Sequence, residues 1–113
     1  MDLAAGRKQL VDALSSAPDV TGHLFRPPKP RAGDAWPLLG AMERAEGRAF
    51  TVTWRVLVFL PEGATGSAEW VEQHVNELVD ALEPVGFVER IEPTTITDSD
   101  TERYALQISV RGE

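Results

Sequence analysis

The sequence contains no cysteine. That excludes a disulfide framework, a thiolate metal site and a cysteine nucleophile. Its two histidines, His23 and His74, stand far apart, with no carboxylate or second histidine at a recognised ligand spacing, so neither anchors a metal or catalytic motif. Long hydrophobic runs are missing too. The longest, Val56–Leu60, is far too short to span a bilayer, and nothing at the N-terminus resembles a signal peptide. A cytoplasmic place of synthesis and no membrane partner are expected. The formal charge is −7, which disfavours free nucleic acid as the main partner.

Motifs for bound cofactors are also lacking. "PEGATGSAEW" places Gly63, Gly66 and Ser67 between a strand and a helix, but it has neither the lysine of a Walker loop nor the glycine spacing of a dinucleotide turn. Glu62 and Glu69 would repel an anion there. "TDSDTE" alternates Asp98, Asp100 and Glu102 like the start of a calcium loop, yet the glycine and glutamate that complete such a loop are absent, so a solvated turn is expected. No serine sits in a G-x-S-x-G context. No cofactor, metal or enzymatic activity is expected from these patterns.

What is present is one domain's worth of chain: 113 residues, 42% hydrophobic and 26% charged, read as a single domain over 1–113. Asp2 is placed to cap a helix running to about Leu14, with Leu3, Gly6, Leu10, Ala13 and Leu14 on one side. Val20–Phe25 reads as a short strand weakened by Gly22, and Trp36–Ala41 opens another that continues toward Arg44. Ala49–Leu60 is the strongest strand, with Phe50, Val52, Trp54, Val56, Val58 and Leu60 on one face. Its other face begins polar, with Thr51, Thr53 and Arg55, and turns apolar at Leu57 and Phe59, which marks it as the central strand.

Ser67 is placed to cap a second helix whose stripe is Val71, Val75, Leu78, Val79 and Leu82. His74 lies off that stripe and is expected at the surface. Phe87–Ile91 and Tyr104–Val110 read as strands, with "EPTTITDSDTE" as a long polar connection between them. The order α-β-β-β-α-β-β predicts an α+β fold: a mostly antiparallel sheet of four to five strands with two helices packed on one side.

Two features favour assembly over catalysis. "HLFRPPKPRAGDAWPLL" carries Pro27, Pro28 and Pro30, which delete three backbone donors and prevent continuous strand pairing, so an extended arm or loop is expected over about 26–36. Pro27 and Pro30 also have the spacing of a polyproline ligand, but such ligands usually occupy disordered tails and this stretch lies between folded elements. Charge is the second feature. Residues 1–56 hold eight Lys/Arg against six Asp/Glu, and residues 57–113 hold three against twelve. That pattern fits either a solvated acidic face or a basic edge of one copy meeting an acidic edge of another.

The chain resembles the tail terminator proteins of long-tailed, siphovirus-type bacteriophages. The resemblance covers nearly its full length and rests on element order together with "RKQLVDAL", "RPPKPRAGDAWPLL", "FTVTWRVLVFLP", "LVDALEPVG" and "YALQISV". It implies a structural virion protein that forms a homohexameric ring on the tail tube, stops tube polymerisation and meets the head connector at the head–tail junction. Its partners would be further copies of itself, the tail tube protein and the connector protein, with DNA only passing through the lumen. Other head–tail joining or neck proteins are built along similar lines, and a small stand-alone α+β ligand-binding protein is the alternative from another class. The resemblance makes Arg26, Pro27, Pro28, Lys29, Pro30, Arg31, Trp36, Arg48, Glu72 and Glu77 the interface candidates. In that reading the arm reaches a neighbour with Trp36 as its anchor and pairs Arg26, Lys29, Arg31 or Arg48 with the acidic helix of the next copy. The other reading of Trp36 keeps it in its own core, under a loop packed on its own domain.

Overall fold

The structure is a computed structural model that describes residues 2–44, 47 and 50–112. Its elements run α1 (Leu3–Ser15), β1 (Thr21–Gly22), β2 (Asp34–Arg44), β3 (Phe50–Phe59), α2 (Ala64–Leu82), β4 (Phe87–Asp98) and β5 (Thr101–Gly112). The α-β-β-β-α-β-β order and the α+β class are those read from the sequence. The five strands form one sheet in the order β1-β2-β3-β5-β4, with β3 at its centre. β1 pairs with β2 in parallel, and every other pair is antiparallel.

Both helices cover one face of this sheet. Leu10 and Leu14 of α1 and Leu78 and Leu82 of α2 pack with Val52, Trp54, Val56 and Val58 of β3 and with Leu106, Ile108 and Val110 of β5. The two alternating strand stripes meet the two helical stripes, as period 2 and period 3.6 demand. Asp2 caps α1 by accepting the Ala5 N–H. Gly6 faces the Trp54 ring, and a Cβ there would lie 3.5 Å from it, in ordinary contact. Gly22 lets β1 lie close along α1: a Cβ at that position would sit 2.5 Å from the Val11 carbonyl oxygen.

Three expectations need correction. Strand β1 is two residues long, not six. Helix α2 starts at Ala64, and Ser67 lies inside it; its buried hydroxyl donates to the Pro61 carbonyl. The long polar connection before the last strand does not exist: β4 runs on to Asp98, and Ser99 and Asp100 turn directly into β5 with φ of 49° and 66°. Two consecutive left-handed residues make the tight hairpin turn that matches strand twist. Thr94, Thr95, Ile96 and Thr97 are β-branched and suit the ladder that polarity alone argued against. Strand β4 is also a sheet edge, which tolerates Pro93.

Candidate functional site

The proline arm begins and ends on the sheet. At its root His23 N–H donates to the Ala35 carbonyl, and His23 Nε2 lies 3.0 Å from Asp34 Oδ1. The second carboxylate oxygen of Asp34 accepts the Arg31 N–H. Gly33 closes the arm with φ of 91° and donates to the Phe59 carbonyl, so the arm returns over the end of the central strand. A Cβ on Gly33 would stand 2.2 Å from the Asp19 carbonyl oxygen, which leaves room for glycine only.

Between these roots the arm folds onto its own sheet. The Arg26 guanidinium sits above the Trp36 ring and donates to the Thr97 carbonyl at the far hairpin. Pro30 is buried. Trp36 is only 1% exposed and packs with Leu57 and Phe59, with Ile96 beside them, on the face away from the helices. Of the two expectations for Trp36, the structure has burial in its own core, and a ring so covered presents no surface to a neighbour. The arm is also shorter than expected, because residues 34–36 already belong to β2.

The remaining candidates are dispersed. Pro28, Lys29 and Arg31 are exposed on the arm, and Glu72 and Glu77 are exposed on α2. Among the described residues no ion pair joins the arm cations to the α2 carboxylates. Arg48 lies outside the described residues.

The face opposite the helices has two halves. One is the small apolar cluster under the arm, flanked by Arg103, whose guanidinium lies over the Phe59 ring. The other half is open and charged. Register places Leu38, Arg55, Ser109 and Arg90 in one row across β2, β3, β5 and β4, and Thr53, Arg111 and Phe87 in the next. Arg55, Arg90 and Arg111 are exposed, and so is Phe87, at 61%. Glu92 pairs with Arg90 at 3.2 Å, and Glu89 approaches Arg111 at 3.7 Å. Sequence reasoning missed this cluster. The alternation in β3 and β5 set Arg55 and Arg111 opposite the core residues, but only the β4 register brings Arg90 beside them.

His74 is the second miss. It is buried, not exposed. Its ring stacks on Trp70 at 4.1 Å, Nδ1 donates to the Trp70 carbonyl, and Nε2 lies 3.1 Å from Asp19 Oδ2. Burial lowers its pKa, but the Trp70 carbonyl, Asp19 and Glu77 outweigh that and raise it above the ordinary 6.5. Both ring nitrogens face acceptors, so the doubly protonated ring satisfies both at once. The pair ties α2 to the loop before β1, where Asp19 takes a left-handed φ of 61°.

Near the β4 edge, an open depression of about 1070 Å³ is lined by Val79, Phe87, Val88, Glu89 and Arg111 among others. Among the described residues no helix is long and apolar enough to cross a membrane. No protein-family model matches the chain, and no curated protein matches it.

Proposed function

We propose that this chain is a structural virion subunit, a tail terminator whose copies form a hexameric ring that caps the phage tail tube and meets the head connector. The resemblance on which this rests falls on the spine of the fold: "AWP" lies in β2, and "WRVLVFLP" is most of β3 and its exit. The observation that carries it further is the half-uncovered sheet. One layer of helices covers one face only, and on the other Leu38, Phe87 and three arginines stand open. A surface of guanidinium groups around exposed apolar side chains has the composition of an interface patch. The arm does not supply that patch, since Arg26 and Trp36 are engaged within the subunit.

Electron microscopy of the purified protein and of the native particle tests the reading. Six-fold rings at the head-proximal end of tail tubes, and tubes that stop growing when the protein is added, are the expected results. A protein that stays monomeric and leaves tube growth unchanged would overturn it.

A further inference from the structure

The charge of α2 differs in sign from that of the arginines on the far side of the sheet. Helix α2 carries Glu69, Glu72, Glu77 and Asp80 and not one Lys or Arg. All four acids are exposed, and among the described residues none joins an ion pair. The three arginines of the acidic C-terminal half, Arg90, Arg103 and Arg111, all stand on the opposite side of the sheet, together with Arg55. The molecule therefore has an acidic surface on α2, beside an α1 that carries Arg7 and Lys8 with Asp12, and an arginine-bearing sheet face on the other side.

We propose that the open sheet face of one copy docks on the acidic face of α2 of the next copy. The proposal builds on the ring-subunit reading and names the two surfaces involved. Spacing supports it. With strands about 4.8 Å apart and about 3.4 Å per residue, Arg55, Arg90 and Arg111 form a triangle with sides of about 8–10 Å. On α2, Glu69 and Glu72 lie one turn apart, and Asp80 lies about 12 Å beyond Glu72 along the axis. One helix laid across the face meets two or three guanidinium groups at once, with Leu38 on β2 and Phe87 on β4 flanking them as apolar contact. The two surfaces lie on opposite sides of the sheet, so the contact is head-to-tail, the kind that closes into a ring when the rotation allows. Glu92 on Arg90 and Glu89 on Arg111 offset part of the arginines' positive charge and leave Arg55 as the one of the three in no ion pair among the described residues, so a face of mixed sign suits a helix of spaced carboxylates better than the unbroken charge of a phosphate backbone.

Sedimentation of the full chain tests this with two charge-reversed variants. Arg55→Glu with Arg90→Glu makes the sheet face acidic, and Glu72→Lys with Asp80→Lys makes the helix basic. All four residues are exposed, and circular dichroism checks that both variants fold. Wild type is expected to associate at low salt and to dissociate toward about 1 M, where screening falls to about 3 Å. Each variant alone should associate about tenfold more weakly or worse. Mixed together, the two should recover association, because each then meets a complementary face on the other. Variants that associate like wild type would overturn the contact. If they also build six-subunit rings, the ring reading stands without it. A wild type that stays monomeric, with or without tail tubes, overturns both. A monomeric wild type that binds a DNA duplex through Arg55 and Arg90 overturns the contact and assigns the face to phosphate.

Discussion

On β3 the even-numbered residues from Val52 to Val58 face the helices, and the odd-numbered ones from Thr51 to Phe59 face away. The first set is buried along its whole length. The second is half-buried at Thr51 and Thr53, exposed at Arg55 and buried only at Leu57 and Phe59, where the arm closes over them. One strand thus serves two surfaces. The helix side is closed by side chains that two helices bring from outside the sheet. The far side is closed only as far as the eleven-residue loop 23–33 can reach, and what lies beyond is charged. Burial on this sheet is set by what covers each face more than by the strand itself.

The sharpest way to break the comparison is to charge the closed side. Val56 and Leu78 are fully buried, and neither has a polar partner. Val56→Asp or Leu78→Asp should cost more than about 5 kcal/mol, the scale of a small domain's whole stability, and should abolish folding. Soluble protein with a cooperative thermal transition from either variant would show that the helix layer is not the core.

The arm's side asks for smaller changes. Trp36→Ala empties the centre of the second cluster and should cost about 3–5 kcal/mol, read as a lower midpoint in denaturant. If the arm leaves Trp36 readily, the loss will fall well below that range. Arg26→Ala removes the bond to the Thr97 carbonyl and the guanidinium above the ring. Arg26 is exposed, so about 1–2 kcal/mol is expected, with faster proteolysis of the arm as a second readout. A change in the second readout without the first would mean that the arm's docking is separable from the fold.

The closed side was legible in the sequence because period 2 and period 3.6 are each written within one element. Val52 to Leu60 and Leu106 to Val110 needed no knowledge of their neighbours. The far side was not, because its composition depends on register. Arg90 joins Arg55 only through Ser109, and nothing within Phe87–Ile91 itself says which β5 residue it faces, least of all across the register shift between Val88 and Arg90. Thr94 to Thr97 alternate between two faces without an apolar stripe, so their polarity resembled a connection. Trp36 was visible as a large aromatic next to prolines, but nothing local says whether such a ring serves its own core or a neighbour. The α2 stripe was misplaced by a fraction of a turn. Leu78 and Leu82 of the expected stripe are buried, but its Val71, Val75 and Val79 are only half-buried, and Ser67 and His74 complete the buried line. Two polar residues on that line each have a local acceptor, which a hydrophobic count does not register.

The smallest expected effect belongs to His74, and it asks whether the helix layer's grip on the sheet depends on pH. The ring nitrogens face the Trp70 carbonyl and the Asp19 carboxylate, with Glu77 one turn along the same helix adding negative potential. Despite the cost of burial, these acceptors raise the pKa of the folded ring above the ordinary 6.5. A raised folded value gives stability that is complete below about pH 6.5 and is lost as pH climbs through that raised value. Asp19 is 78% exposed on its side chain, so solvent screens the pair and limits its contribution to about 1 kcal/mol. His74→Gln removes the titration and keeps a side chain able to donate to one acceptor. The wild type should therefore be more stable than the variant near pH 6, and the gap should narrow steadily toward pH 9, measured as paired melting temperatures across about pH 6–9. Asp19→Asn should shrink the gap at the acidic end and leave the alkaline end unchanged. A constant difference over the whole range would mean that His74 holds α2 by packing against Trp70 alone, and that its charge has no part in closing that face of the sheet.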